Sequence, residues 1–347
     1  MGSEEHLGVE YLNADELAEC RGRGWQGVLG IALFGADAHA LDAPGVPVAR
    51  VRMQPLGSRQ VVFEVWRAKG PLASGSVGRV QYRSNDELLF GCVALPEADV
   101  PHGVDDGSAL RTVTEQAYSE VFQCLASLGF PRVLRIWNYL PRINVDAGGI
   151  ERYRLFNEAR HRAFQSFRRE VKGNVPAACA LGSAPGSPLV VYFVAGTLDG
   201  TAIENPRQVS AYDYPPEYGT FSPTFSRATL AHSATSRALF VSGTASIVGY
   251  RTVHAGDVIA QTRETIANLR ALVEAAGRTA GTDQITERRL RYKAYLRRAK
   301  DLEAVSNELD NALQPETPVV YLNADICRSD LLVEIEAVGF GAPPGAC

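Results

Sequence analysis

The order helix–strand–helix–strand over residues 112–196 recurs over residues 256–338, and this repetition restricts the possible folds more than any local motif does. In the second half, residues 256–277 place Ile259, Ile266, Leu269, Leu272 and Val273 at helical spacing and end on Gly277, a natural C-cap. Residues 290–296 alternate as a strand, residues 301–313 form a helix with Asp301 as N-cap, and residues 318–322 and 331–338 are two more strands. In the first half, residues 112–129 and 149–167 are helices and residues 132–140 and 188–196 are strands. The expected fold class is α+β, two fused units of mixed sheets packed by helices. Their boundaries are 1–200 and 201–347, with the join near the LDGTAIENP segment. The Gly- and Pro-rich residues 173–188 are expected to be a long loop inside the first unit.

Bulk composition narrows the function classes. The 347 residues carry a net charge of -4, which argues against a general nucleic-acid binder. No apolar run reaches the roughly 18–20 residues of a membrane helix. The N-terminal residues are acidic, without the apolar core of a secretory signal. Cysteines stand at 20, 92, 124, 179, 327 and 347, none spaced as CxxC, so neither a disulfide framework nor a zinc site is indicated. These features point to a reduced cytoplasmic protein with no metal, no membrane partner and no nucleic-acid partner. The basic stretch at 287–300 falls on an alternating strand and is expected to form a solvated face.

Against this acidic background, residues 135–164 concentrate Arg135, Arg142, Arg152, Arg154, Arg160 and Arg162 beside aromatics and a Gly-Gly turn. Arginine suits anion recognition because its planar fork grips carboxylates bidentately and stays charged. On the 149–167 helix, Tyr153, Asn157, Arg160 and Phe164 share one face, whereas Arg152 and Arg162 point elsewhere, toward solvent. Arg160 is the favoured clamp, with an inter-repeat salt bridge as the alternative. Superposing the repeats sets Val191 opposite Glu334 and Phe193 opposite Glu336, so one copy is equipped with acids that the other lacks. Both glutamates fall on one strand face, with Val333, Ile335 and Ala337 on the other. A solvated face is the usual fate of strand glutamates and remains open on pattern alone.

The second half resembles the Rid (YjgF-like) family. The resemblance is carried by Ser242-Gly243-Thr244, Gln261-Thr262, Asn268-Leu269 and the terminal Val333-Glu334-Ile335-Glu336-Ala337. In that family the first terminal glutamate projects into a pocket between neighbouring copies, which the resemblance assigns to Glu334. The whole chain resembles, more narrowly, the chorismatase family, also described as pteridine-dependent deoxygenase-like. The motifs are Arg135-Ile-Trp-Asn-Tyr139, Glu151-Arg-Tyr-Arg154, Phe156-Asn157, Ala159-Arg160, Pro206-Arg-Gln-Val-Ser-Ala-Tyr212, Tyr218-Gly219, Ser222-Pro223-Thr-Phe225 and Arg227. Ser242 to Gly249 and Asp325-Ile-Cys-Arg328 with Leu331-Leu-Val-Glu334 complete the set. The chain departs from the family pattern at Thr220-Phe221, near an expected substrate contact, and at Tyr250, expected to be peripheral.

That resemblance implies cleavage of chorismate, a dianion with an enolpyruvyl ether, to pyruvate and a ring acid, with no cofactor. Glu334 is then the acid that protonates the enolpyruvyl methylene, its carboxyl pKa raised by burial and by Glu336. Tyr153 and Arg160 supply one clamp, and Arg227 with Tyr212 and Tyr218 the other. Arg227 as a loop-stabilising residue is the alternative. Thr244 and Ala245 complete the implied contacts. Cys327, in isolation a small buried hydrophobe, resembles the 3-hydroxybenzoate-forming branch, whereas Ala245 resembles the hydrolytic branch that yields 3,4-dihydroxycyclohexa-1,5-dienoate. The expected product is 3-hydroxybenzoate, with 4-hydroxybenzoate as a companion. The rivals are a Rid-type imine deaminase and a non-catalytic carboxylate-binding protein. Both a monomer and a small homo-oligomer are compatible with the duplication.

Overall fold

The computed structural model describes residues 6–22, 24–36, 41–100, 105–232, 237–280 and 290–341. In chain order the first elements are β1 (Leu7–Leu12), α1 (Ala14–Gly22), β2 (Val28–Phe34), β3 (Val48–Val51), β4 (Gln54–Pro55), β5 (Val62–Ala68), β6 (Ala73–Val77), β7 (Val80–Ser84) and β8 (Leu88–Leu95). Next come α2 (Asp106–Leu128), β9 (Arg132–Pro141), α3 (Arg152–Ser166), β10 (Ala177–Ser183) and β11 (Leu189–Gly196). The remainder is β12 (Asp199–Ile203), β13 (Ala228–His232), β14 (Arg237–Ala245), β15 (Ile247–Val248), β16 (Arg251–Thr252), α4 (Val258–Ala280), β17 (Leu290–Leu296), α5 (Leu302–Ala312), β18 (Val319–Asn323) and β19 (Val333–Gly341).

These strands build an α+β fold with three principal sheets. A six-stranded sheet runs β10-β9-β11-β8-β7-β6 and a seven-stranded sheet runs β12-β13-β14-β19-β17-β18-β4. A four-stranded sheet, β1-β5-β2-β3, completes the set. Both larger sheets are mixed: β9 is parallel to β10 and β17 to β18, while β11 and β19 run antiparallel to their neighbours. The path β8-α2-β9-α3-β10-β11 has its counterpart in β14-α4-β17-α5-β18-β19.

Each sheet carries its helices on one face and turns the other face inward. On β9 the parity is explicit: Ile136 and Leu140 pack toward α2 and α3, whereas Trp137 and Tyr139 enter a core shared by all three sheets. Trp66 of β5, Tyr192 of β11, Phe240 of β14 and Phe340 of β19 meet them there. Trp137 stacks on Tyr192 at 4.5 Å, and Trp66 contacts Trp137 at 5.5 Å and Phe240 at 6.2 Å. Helices α4 and α5 cover the outer face of the seven-stranded sheet through Leu272, Val305 and Leu309. Leu17 and Cys20 of α1 do the same for the four-stranded sheet.

Several details differ from the sequence-based expectation. Residues 173–188 are not one loop, because β10 lies within them and extends the six-stranded sheet beside β9. Its Ala-, Cys- and Leu-containing sequence forms a ladder with β9 alone, with only single bridges to Ser226 and Ile326 on the other edge. The LDGTAIENP segment contains β12, an edge strand of the second large sheet. Gly129 caps α2 in the left-handed conformation, φ 74. Gly277, in contrast, stays helical, and α4 continues to Ala280. Asp301 precedes α5 without a side-chain cap bond. The four-stranded sheet has no counterpart in the repeat.

Candidate active site

On β19, Val333, Ile335 and Ala337 face the helices, which turns Glu334 and Glu336 into the shared interior. Each glutamate is 3% exposed, so the solvated-face alternative fails. The second sheet face that would normally be wet is covered by other sheets.

The two carboxylates have opposite surroundings. Glu336 accepts from Trp137 Nε1 at 2.9 Å and Tyr295 OH at 3.2 Å, and it pairs with Arg135 at 2.5 Å and Lys293 at 2.7 Å. Burial alone would raise its pKa, but Lys293 and Arg135 outweigh burial and hold it at about 2. Lys293 also pairs with buried Glu64, whose Oε1 accepts from Trp66 Nε1 at 2.7 Å and Tyr192 OH at 3.1 Å. The basic stretch is therefore not a solvated face throughout. Lys293 is 2% exposed and ties β5, β17 and β19 together, while residues 287–289 lie outside the described residues.

Among the described residues no cation pairs with Glu334; Arg135 and Arg227 act on it only from a distance. Burial, then the neighbouring charge of Glu336, pushes its pKa up to about 8, so its carboxyl is protonated at neutral pH. Oε2 lies 3.8 Å from Cys327 Sγ. Oε1 occupies the place a side chain at 243 would need: an added Cβ would lie 1.9 Å from it. The β14–β19 register is irregular between Val241 and Thr244, and the glycine at that irregularity admits the carboxyl. Gly243→Ala is expected to destabilise the fold by about 1–3 kcal/mol through overpacking, measured by urea denaturation.

Glu334 opens into a cavity of about 310 Å³ built from separate chain segments. Glu151, Tyr153 and Arg154 enter from the start of α3, and Tyr214, Tyr218, Phe225 and Arg227 from the stretch between β12 and β13. Gly243 and Ala245 come from β14, and residues 327–330 from the connection between β18 and β19. Arg227 is buried, donates to Val209 O and Tyr214 OH at 2.7 Å each, and lies over Phe225 at 5.4 Å. Arg328 lies over Tyr218 at 4.2 Å and Tyr214 at 5.1 Å. Its Nη1 donates to Tyr250 O at 2.9 Å, while Nη2 has no hydrogen-bond partner among the described residues. Cys327 is half-buried, and burial followed by the Glu334 charge pushes its thiol well up, so it remains a neutral S–H. Burial likewise keeps Tyr153 a neutral phenol.

Of the residues expected at the site, Glu334, Cys327, Tyr153, Tyr218, Arg227 and Ala245 line this cavity. Arg160, Tyr212 and Thr244 are not among its lining residues. Arg160 shares a helical face with Tyr153 but lies seven residues along, roughly 10 Å deeper on the axis. Its guanidinium sits over Tyr118 at 5.4 Å and Phe164 at 5.5 Å, and among the described residues it forms no salt bridge across the repeats. Thr244 is turned away by strand alternation between Gly243 and Ala245, and its hydroxyl donates to Ser242 O at 3.0 Å. Tyr214, two residues beyond Tyr212, takes the wall position. Arg152 is fully buried on Glu97 and Asp106 rather than solvated, whereas Arg162 is half exposed as expected. Phe221 packs on His161 at 5.1 Å, away from the lining, while Tyr250 packs on the cavity residue Tyr218 at 5.9 Å. Arg328 was visible in the Asp325-Ile-Cys-Arg328 motif, but sequence position did not reveal its stacking.

The comparisons with known proteins agree with this geometry. A family model described as chorismatase FkbO/Hyg5-like, N-terminal, matches residues 64–195. The chain is 37% identical over 286 residues to a 3-hydroxybenzoate synthase of Streptomyces hygroscopicus, spanning 79% of this chain and 80% of that protein. It is 36% identical over 353 residues to a chorismatase of Streptomyces rapamycinicus, spanning 96% of each. Its structure resembles a chorismatase crystal structure determined at 1.08 Å, with TM-score 0.85, 30% identity and coverage of 98% of this chain and 100% of that one. On this similarity along most of its length, the chain belongs to the chorismatase family of enzymes.

Proposed function

We propose that the cavity binds chorismate and that Glu334 protonates the enolpyruvyl methylene carbon, releasing pyruvate. The observation that carries this reading is a buried carboxyl, neutral at pH 7, aimed into a cavity that also holds Arg227 and Arg328. A carboxylic acid that keeps its proton can donate it to carbon, and the two guanidinium groups suit a dianionic substrate. Proton transfer makes the ether an oxocarbenium ion. Capture from within the substrate leads to pyruvate and a hydroxybenzoate with no net water. Capture by water gives pyruvate and a dihydroxycyclohexadiene acid and consumes one water.

Cys327 beside Glu334 supports 3-hydroxybenzoate as the product, through its resemblance to the benzoate-forming branch. Ala245 in the same wall supports the hydrolytic product as the second reading. Incubating the protein with chorismate, assaying pyruvate and separating the aromatic acids by chromatography tests both. Absence of pyruvate refutes the reaction, and the chromatogram decides the branch. The matching strand orders of the larger sheets support the chain as two fused Rid-like units, 1–200 and 201–347, with the acid in the second.

The pH dependence follows from the sign of the Glu334 shift. The active form is the protonated one, so kcat/KM should hold through neutrality and fall about tenfold per unit above pH about 8. A profile that instead falls above pH 5 would show that Glu334 is ionised at neutrality and is not the acid.

A further inference from the structure

We infer that Arg297 is a positioning residue of this active site, holding residues 324–332 in the shape that sets Cys327 beside Glu334 and Arg328 in the cavity wall. The kinetic consequences rest on the chorismate-cleaving reading of the cavity; the geometry does not.

Arg297 directly follows β17 and is mostly buried. All five of its side-chain N–H groups find acceptors. Nε donates to Leu331 O at 2.8 Å. Nη2 donates to Ile326 O at 3.0 Å and Arg328 O at 2.8 Å. Nη1 donates to Asp325 Oδ1 at 2.7 Å and Asn144 Oδ1 at 3.0 Å. Four of the five acceptors thus belong to the connection that carries Cys327 and Arg328. The fifth leads to another lining residue, because Asn144 Nδ2 donates to Glu151 Oε1 at 3.1 Å and Glu151 lines the cavity.

The need for such a clamp follows from the local chain. Between Asn323 of β18 and Val333 of β19 the backbone has no ladder, and Asp325, Ser329 and Asp330 are exposed. It has a single bridge of Ile326 to Leu181, the Gly182 N to Asp325 O bond and the Gln261 side chain on Asp330 O and Leu332 N. Only Ala324, Ile326, Leu331 and Leu332 anchor it by burial. Arg328 O also accepts from Leu331 N at 3.1 Å, and one planar fork supplies carbonyls 326, 328 and 331 with donors from a single point. Lysine has three donors on one atom and cannot span acceptors on several sides of a plane.

The test is alkylation of Cys327 by iodoacetamide in the folded protein, read by peptide mass spectrometry, with pyruvate release measured in parallel. In Arg297→Met, Cys327 should be labelled about tenfold faster or more, because the segment opens locally, while buried Cys92 and Cys124 keep their wild-type rates. The kcat should fall about 30-fold or more, with circular dichroism unchanged. Leu309→Ala, a core change on α5, should lower the Tm and leave Cys327 labelling near wild type. Should Arg297→Met not fold, Arg297→Lys carries the same comparison with a smaller, roughly threefold acceleration. Unchanged labelling of Cys327 in a folded variant overturns the proposal. Labelling that rises equally at Cys92 and Cys124 also overturns it, since that is global loosening. A wild type that releases no pyruvate refutes the functional reading and leaves the labelling result standing.

Discussion

Glu334→Gln should lower kcat for pyruvate release by about 1,000-fold, with chorismate affinity changed no more than a few fold. The amide is isosteric, so the cavity keeps its shape, but it cannot deliver a proton to carbon. Single-turnover rates with a direct binding measurement separate the two quantities. A variant with near-normal turnover would remove Glu334 from the mechanism. The same substitution has a signature in stability. The folded protein keeps the Glu334 proton up to pH about 8, whereas an unfolded glutamate releases it near 4.5. Across that window the native state binds more protons than the unfolded state, so wild-type stability falls as pH rises, by about 1.4 kcal/mol per unit from this group. Glu334→Gln lacks that slope and should gain on the wild type steadily from pH 5 to 8 in urea denaturation. Parallel stability curves would mean that Glu334 is not held protonated.

The largest stability effect is expected at Lys293. Lys293→Met leaves Glu64 with no cation among its contacts and Glu336 with Arg135 alone, both inside the core shared by the sheets. Removing one partner of a buried charge network costs about 3–5 kcal/mol, far above the median surface pair. The Lys293→Met/Glu64→Gln double variant should recover part of the loss, because no uncompensated charge then remains on β5. Chemical denaturation of the single and double variants measures this. Equal stability of Lys293→Met and wild type would show that the network does not hold the sheets together. Activity should also respond: with Lys293 gone Glu336 is less firmly ionised, and the like charge that helps keep Glu334 protonated weakens.

Much of the secondary structure was legible because helix and strand periods are local properties. Strand β17 matches its expected bounds, and α2, β9, α3, β11, α4, α5, β18 and β19 lie within a few residues of theirs apart from the longer N-terminus of α2. Strand β10 was missed because a short, Ala-rich edge strand looks like the loop around it. The site was legible where a motif fixed a position on a known face, as for Tyr153, Arg227, Cys327 and Glu334. It was not legible where depth mattered. A helical wheel puts Arg160 with Tyr153 but says nothing of distance along the axis, and it could not show that Arg152 meets two acids from other elements.

Sequence alone determined the order of elements, the parity that sets Glu334 and Glu336 on one face of β19, and the motifs shared with the chorismatase family. Only the tertiary structure decided that this face is buried, that Lys293 and Arg135 neutralise Glu336 while no cation among the described residues pairs with Glu334, and that Arg328 shares the cavity with Arg227. The reason is physical. Alternation reports which side of a strand a residue occupies, but burial and charge pairing depend on what other parts of the chain bring to that side.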